Sequence, residues 1–207
     1  AERNVWPSRK YGHISRIAYL GQSKEFLDYL LERINNPKHF RERANALHIL
    51  FFFTEKYGME ERIRQVLFDF IKQDVDEEYG RYIAIETLGE LHLHSSIITD
   101  YLVSHLTKKH GEYELGVIKY LAKHENPGKY LPVLFEQYLL ARDESKSGHE
   151  WNICATIEEI ILAFTSFELT RDSFLFFVEN SNTFSSYEEV LNGLIDKLLI
   201  HYQAGNV

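Results

Sequence analysis

The chain has 207 residues, of which 44% are apolar and 14% aromatic, with four prolines and eleven glycines. This composition excludes a disordered chain, and the single cysteine, Cys154, excludes an intrachain disulfide. Residues 1–58 hold ten Lys or Arg and six Asp or Glu, whereas residues 59–207 hold thirteen and twenty-five. Because phosphates bind basic surface, this acidic excess argues against extensive nucleic-acid binding.

The sequence also favours a location for the protein. Unbroken apolar runs such as residues 160–164 are far shorter than the roughly 18 residues that a membrane-spanning helix needs. Residues 1–13 lack the apolar segment of a secretory signal. We therefore expect a cytoplasmic protein that does not enter a membrane. Cys154 lies in an apolar helical run, where we expect a buried and inert thiol.

Apolar residues recur at helical spacing along nearly the whole chain and predict ten helices in five pairs. Ser23 is expected to cap the first helix. Asn36 and Pro37 predict the start of the second helix, and Gly58 predicts its end. The remaining predicted helices span about 60–72, 77–92, 96–109, 112–124, 129–141, 149 onward, 171–179 and 187–202.

Three segments add detail to this pattern. Residues 1–22 carry apolar residues at helical spacing and predict a short segment that caps one end of the helical stack. Residues 142–148, with the sequence RDESKSG, form the longest polar insertion and predict a mobile loop. Ser186 and Glu189 have the spacing of a capping box, which predicts the start of the final helix.

Residues 74–91, DVDEEYGRYIAIETLGEL, resemble the second helix of a HEAT-type helical repeat. The resemblance lies in an acidic turn followed by Arg81, Ala84, Leu88 and Gly89. The first helices of the five predicted pairs begin near residues 24, 60, 96, 129 and 171. These steps of about 33 to 42 residues bracket the length of known two-helix repeats.

This resemblance implies a fold for the whole chain. A helical pair of the HEAT type buries its apolar faces only by stacking on neighbouring pairs, so one good repeat implies others. We expect a single HEAT-like domain over residues 1–207. It would be an all-α, right-handed α-solenoid of about five antiparallel helix pairs. An irregular all-α bundle is the alternative.

HEAT-like enzymes are an alternative class, and two families of them have features that the sequence can be expected to share. The pairs His124-Glu125 and His149-Glu150 resemble the His-Glu pairs of the deoxyhypusine hydroxylases, which are iron enzymes. Here one pair ends a predicted helix and the other begins one, so the symmetric set of that family is absent. HEAT-like DNA glycosylases need a basic concave surface, whereas the equivalent helices here carry several carboxylates.

Other catalytic patterns are missing from the sequence. HExxH, GxxxxGK[ST], GxSxG and GxGxxG motifs do not occur. His92 and His94 are two residues apart, so in a helix they would point in nearly opposite directions and could not grip one metal ion. We expect them instead to interact with the carbonyl groups at the end of a helix. The sequence therefore predicts no catalytic residue, no cofactor and no metal site.

The second helix of each HEAT pair usually lines the concave side of the array, so its polar residues are the candidate contact surface. Alignment of the repeats on Ala84 and Leu88 selects positions that lie off the apolar stripe. They are Arg41, His48, Tyr79, Glu86, Glu90, Lys119, Lys123, Glu158, Glu159, Asn192 and Asp196. A mixture of aromatic and charged side chains is typical of protein recognition.

We therefore expect a non-enzymatic protein-binding module whose partner is a basic protein. The acidic residues 59–207 would attract such a partner, and Glu86, Glu90, Glu158 and Glu159 are the expected steering carboxylates. The partner class stays open between an adaptor's target and a toxin that an immunity or inhibitor protein neutralises. Solubility alone would be the simpler explanation of the acidic charge.

Overall fold

The computed structural model describes residues 22–73, 77–107, 111–143, 148–180 and 188–205. Within these ranges the protein is all-helical, without a β-strand, and the all-α prediction is confirmed. The α-helices are α1 (Lys24–Asn35), α2 (Phe40–Phe51), α3 (Glu60–Ile71), α4 (Glu78–Glu90), α5 (Ser96–Ser104), α6 (Glu112–Ala122), α7 (Leu131–Asp143), α8 (Gly148–Ala163), α9 (Phe167–Glu179) and α10 (Glu188–Gln203). A 3-10 helix, Pro127–Tyr130, precedes α7. No helix in these ranges is long and apolar enough to cross a bilayer.

Three predictions fall on parts of the chain that the structure does not describe. They are the capping segment before residue 22, the central residues 144–147 of the predicted loop and the capping box at Ser186. The loop was predicted over residues 142–148, but residues 142 and 143 belong to α7 and Gly148 begins α8. The cap at Ser23 is confirmed, because its hydroxyl accepts a hydrogen bond from the backbone N–H of Phe26 at 3.1 Å.

The boundaries of α2 differ from the prediction at each end. The helix begins at Phe40 rather than at Pro37, because His39 Nδ1 accepts the backbone N–H of Glu42 while the Glu42 carboxylate accepts that of Lys38. This reciprocal cap satisfies the N–H of Glu42 in the first turn and the N–H of Lys38 just before the helix. The helix ends at Phe51, well before Gly58. Gly58 has a positive φ of 71° and forms the turn that leads into α3.

Two later helix boundaries also differ from the prediction. Helix α5 ends at Ser104 rather than near residue 109, and α9 begins at Phe167 rather than near residue 171. The hydroxyl of Ser166 caps α9 by accepting the backbone N–H of Leu169. With the observed boundaries, the odd-numbered helices begin at residues 24, 60, 96, 131 and 167, a regular step of 35 or 36 residues.

Contacts group the chain into two compact units. The first contains α1 to α6. Each odd-numbered helix contacts the even-numbered helix that follows it, α1 also contacts α3, and α4 contacts α2 on one side and α6 on the other. The even-numbered helices therefore lie side by side. Fully buried apolar residues of the odd-numbered and even-numbered helices form the core of this unit, among them Leu27, Leu31, Leu47, Leu50, Leu67, Phe70, Ala84, Leu88, Val117 and Leu121.

Two glycines allow α4 and α6 to approach closely. A Cβ atom on Gly89 would lie 3.2 Å from the Cα of Tyr120, and one on Gly116 would lie 3.2 Å from the Tyr82 side chain. Each distance is shorter than ordinary van der Waals contact, so the two glycines are complementary across one interface. The Leu88-Gly89 motif that resembles a HEAT repeat therefore has a packing role here, since Leu88 is fully buried beside it.

The second unit contains the 3-10 helix and α7 to α10. Helix α8 contacts α7, α9 and α10, and α9 also contacts α10. Fully buried residues at its centre include Leu134, Tyr138, Ala141, Ile153, Ile157, Ile161, Phe177 and Leu194. Cys154 is buried, as predicted, and its thiol lies 3.9 Å from the carbonyl oxygen of Tyr138.

Candidate functional site

The structure places all eleven predicted contact residues on or directly after the even-numbered helices, which are the second helices of the predicted pairs. Arg41 and His48 lie on α2, Tyr79, Glu86 and Glu90 on α4, and Lys119 and Lys123 on or just after α6. Glu158 and Glu159 lie on α8, and Asn192 and Asp196 on α10. The first seven belong to the first unit and the last four to the second.

In the first unit, aromatic rings connect α2 to α4. The rings of His48 and Tyr79 have centroids 5.6 Å apart, and Tyr79 stacks on Tyr82 at 6.0 Å. These spacings are typical of favourable ring contacts. Tyr79 is exposed while His48 and Tyr82 are half-buried, so the three rings form one connected aromatic surface.

Lys119 extends this surface from α4 to α6. Its ammonium group donates to the hydroxyl of Tyr82 and to Glu86 Oε1, each at 2.8 Å, and lies 5.2 Å from the centre of the Tyr82 ring. Tyr82 was absent from the predicted set. Its position three residues after Tyr79 and four before Glu86 is the signal that could have found it, because those spacings share one helix face.

The same face continues at its two ends. Lys123 pairs with Glu90 at 3.2 Å, and the exposed guanidinium of Arg41 lies 5.7 Å from the centre of the exposed Phe40 ring. Arg41 precedes His48 by seven residues, which places both on one side of α2. We call the following set the polar row: Arg41, His48, Tyr79, Tyr82, Glu86, Glu90, Lys119 and Lys123.

A buried arginine, Arg43, lies on α2, one of the helices that carry the polar row. Arg43 Nε donates to the carbonyl oxygen of Ile34 at 2.9 Å, and its Nη1 donates to Glu77 Oε1 at 2.9 Å. Its guanidinium also lies 4.8 Å from the centre of the Phe70 ring. Arg43 on α2 thus contacts both the end of α1 and the residue that precedes α4.

In the second unit, the four predicted residues have different surroundings. Glu158 accepts a hydrogen bond from the hydroxyl of Tyr138 and pairs with Arg142 at 3.3 Å. Burial, followed by this hydrogen bond to a carboxylate, raises the pKa of Tyr138 above its ordinary value. Glu159, Asn192 and Asp196 are exposed. Glu86, Glu90 and Glu158, three of the four expected steering carboxylates, are therefore paired with cations, which the sequence did not reveal.

The histidines at the ends of α4 and α6 form a ring cluster. His94 lies 4.9 Å from His124 and 4.6 Å from Tyr120, measured between ring centroids. The end of α4 is capped by backbone groups, because the N–H groups of His92 and Leu93 donate to the carbonyls of Gly89 and Leu88, with His92 at a positive φ of 53°. Across the described ranges, no three His, Cys, Asp or Glu residues are grouped so that they could hold a metal ion.

No family model, curated protein or solved structure matches the chain. Its function is therefore inferred from the chemistry of its own surface. The polar row offers aromatic faces, cations and carboxylates in fixed positions along three adjacent helices. Such a surface can recognise the side chains and backbone of a protein by stacking, hydrogen bonding and ion pairing.

Proposed function

We propose that the chain is a non-enzymatic, cytoplasmic protein-binding module built as a HEAT-like, right-handed α-solenoid, with the polar row on its concave side. Two observations support this architecture. The odd-numbered helices begin at a regular step of 35 or 36 residues, and α2, α4 and α6 lie side by side in the first unit. Stacked repeats create extended surfaces of this kind, which bind other macromolecules.

The observation that carries the binding proposal is the continuous contact from His48 through Tyr79 and Tyr82 to Lys119. Aromatic residues dominate the energetics of protein interfaces because they contribute large contact areas at little entropic cost. The ring contacts and the Lys119 hydrogen bonds reduce that cost further, since these side chains are ordered before a partner arrives.

We propose a basic partner because residues 59–207 hold thirteen cationic and twenty-five acidic side chains. The paired carboxylates of the polar row set its geometry, while the net field of the acidic residues attracts the partner over distances comparable to the Debye length. An adaptor and an immunity or inhibitor protein against a toxin each fit this chemistry. The genes that neighbour the coding sequence would distinguish these two roles.

Photo-cross-linking tests the surface directly. A photoreactive residue replaces Tyr79 in one variant and Tyr29, an exposed tyrosine on α1, in a control variant. Proteins captured from native lysate by the first variant alone are identified by mass spectrometry and purified. We then expect Tyr79→Ala and Tyr82→Ala to weaken binding by about tenfold or more, and Tyr29→Ala to leave it unchanged.

Three results would contradict the proposed function. A purified partner that binds the Tyr79→Ala and Tyr82→Ala variants as tightly as the wild-type chain would exclude the polar row. Iron bound in stoichiometric amount would instead support an enzyme of the hydroxylase type. Release of an alkylated base from DNA would support a glycosylase.

A further inference from the structure

Helices α9 and α10 form an apolar groove on the second unit. The groove has a volume of about 460 Å³ and is lined by Phe167, Arg171, Phe174, Leu175, Ile195, Leu198, Leu199 and Tyr202. These residues recur at intervals of three, four and seven along each helix, so they form one stripe on α9 and one on α10. The groove is open to solvent and follows two neighbouring helices, which suits a rod-shaped ligand such as a helix.

The apolar side chains of the groove are unusually exposed for a helical pair. Leu175 is 46% exposed, Leu199 is 51% exposed and Tyr202 is 72% exposed. Single exposed apolar residues are normal on a protein surface, whereas these residues are grouped across two neighbouring helices. Exposed apolar residues grouped in one groove therefore mark a surface that another molecule covers.

The two outer edges of the groove are acidic. On α9, the positions beside the apolar stripe are Glu168, Asp172 and Glu179, all exposed. On α10 they include Glu189 and Asp196, also exposed. Arg171 is the cation within the groove, and its Nη2 pairs with Asp172 at 2.7 Å while its guanidinium lies 5.9 Å from the centre of the Phe167 ring. The edges thus keep a clear acidic excess.

We propose that this groove binds an amphipathic helix of a partner protein, with an apolar stripe that fills the groove and lysines or arginines on both sides of that stripe. A helix lying in an apolar groove is a common mode of peptide recognition, and the basic flanks would pair with the acidic edges. A second copy of the chain is disfavoured as the occupant, since two copies of this face would bring acidic edges together. The groove belongs to the second unit and the polar row to the first, so the groove is tested with its own variants.

The test uses two fluorescent peptides of about 18 residues, a length at which a helix with favourable side chains begins to form in water. Each carries leucines at positions i, i+3, i+4 and i+7, and the flanking residues are lysine in one peptide and glutamate in the other. We expect the intact chain to bind the lysine peptide at least about tenfold more tightly, as fluorescence anisotropy would show. Binding of both peptides with equal affinity, or of neither, would overturn the proposal.

Variants locate the binding to the groove. We expect Leu199→Asp to weaken binding of the lysine peptide by about tenfold or more, because it puts a charge where the apolar stripe docks. Ile97→Asp, at an exposed apolar position on α5, is the matched control and should bind as the wild type does. Circular dichroism would verify that both variants fold. Equal binding by Leu199→Asp and wild type would exclude the groove.

Charge reversal at the edges of the groove tests whether the acidic residues pair with the basic flanks of the bound helix. Glu168→Lys combined with Asp196→Lys should weaken binding of the lysine peptide and reduce its dependence on salt. An unchanged affinity would show that the acidic edges play no part. Light scattering reports on the competing occupant: a dimer that Leu199→Asp dissociates would assign the groove to a second copy and overturn the proposal.

Discussion

Lys119 on α6 and Glu86 on α4 form an ion pair at 2.8 Å within the polar row, and the Lys119 ammonium also donates a hydrogen bond to the Tyr82 hydroxyl at 2.8 Å. The Lys119 side chain is 33% exposed and the Glu86 side chain is 15% exposed. One helical turn later, Lys123 and Glu90 repeat the pairing at 3.2 Å, with 48% and 25% exposed. The two pairs join the same two helices but differ in burial.

This difference predicts unequal coupling energies. We expect a double-mutant cycle on Lys119→Met and Glu86→Gln to give a coupling of about 1 kcal/mol, because the pair is partly shielded from water and Lys119 has a second acceptor. The cycle on Lys123→Met and Glu90→Gln should give a value below about 0.5 kcal/mol, as is usual for exposed pairs. Urea unfolding followed by circular dichroism measures each cycle. Equal couplings would show that the difference in burial does not change the strength of the two ion pairs.

Two arginines of α2 should respond very differently to substitution. Arg43 is buried and holds the carbonyl of Ile34 and the carboxylate of Glu77. Arg43→Met keeps most of the packing volume but leaves those acceptors unpaired, so we expect the free energy of unfolding to fall by roughly 2–3 kcal/mol. Arg41→Met, at an exposed position on the same helix, should change it by less than about 0.5 kcal/mol. Similar losses in both variants would show that the buried network contributes little.

The sequence predicted the helical class well because apolar residues repeat at helical spacing along most of the chain. It placed Ser23 correctly, since a serine cap acts through residues three positions away. It failed at Pro37, where the reciprocal cap between His39 and Glu42 starts the helix three residues later. Several caps were chemically plausible there, and only the path of the chain selects one.

The candidate site was predictable in part. Helical periodicity identified which residues lie off the apolar stripe, so His48, Tyr79 and Lys119 were found. Their partners were not, because contacts such as the one between Glu86 and Lys119 join residues 33 positions apart in the chain. Local spacing carries no information about such a distance. The apolar groove was missed for a related reason, since exposed and buried apolar stripes have the same periodicity.

Two helical glycines provide a test of close helix packing. Gly89→Ala would place a Cβ atom 3.2 Å from the backbone of Tyr120, which can move only if α4 and α6 separate. We expect a net loss of about 1–2 kcal/mol, because the packing strain exceeds the gain in helix propensity. Gly193→Ala instead meets the flexible end of the Leu162 side chain. That variant should lie within about 0.5 kcal/mol of wild type, as thermal and urea unfolding would show.

The buried hydroxyl of Tyr138 predicts how stability changes in alkali. Burial and the hydrogen bond to Glu158 raise its pKa in the folded chain above the value of about 10 for a free tyrosine. Below pH 10 the hydroxyl keeps its proton in both states, so its contribution to stability is fully present. As the pH rises above about 10, the unfolded chain loses the proton first, and the free energy of unfolding falls by at most about 1.4 kcal/mol per pH unit for this group.

Tyr138→Phe should therefore lose less stability than wild type as the pH rises above 10. At neutral pH we expect it to be less stable than wild type by about 1 kcal/mol, because the hydrogen bonds to Glu158 and Arg142 are gone. Tyr202→Phe removes an exposed tyrosine and is the matched control, expected to follow the wild-type curve. Urea unfolding at a series of alkaline pH values gives the three curves. Parallel curves for Tyr138→Phe and wild type would show that the Tyr138 proton does not contribute to the loss of stability in alkali.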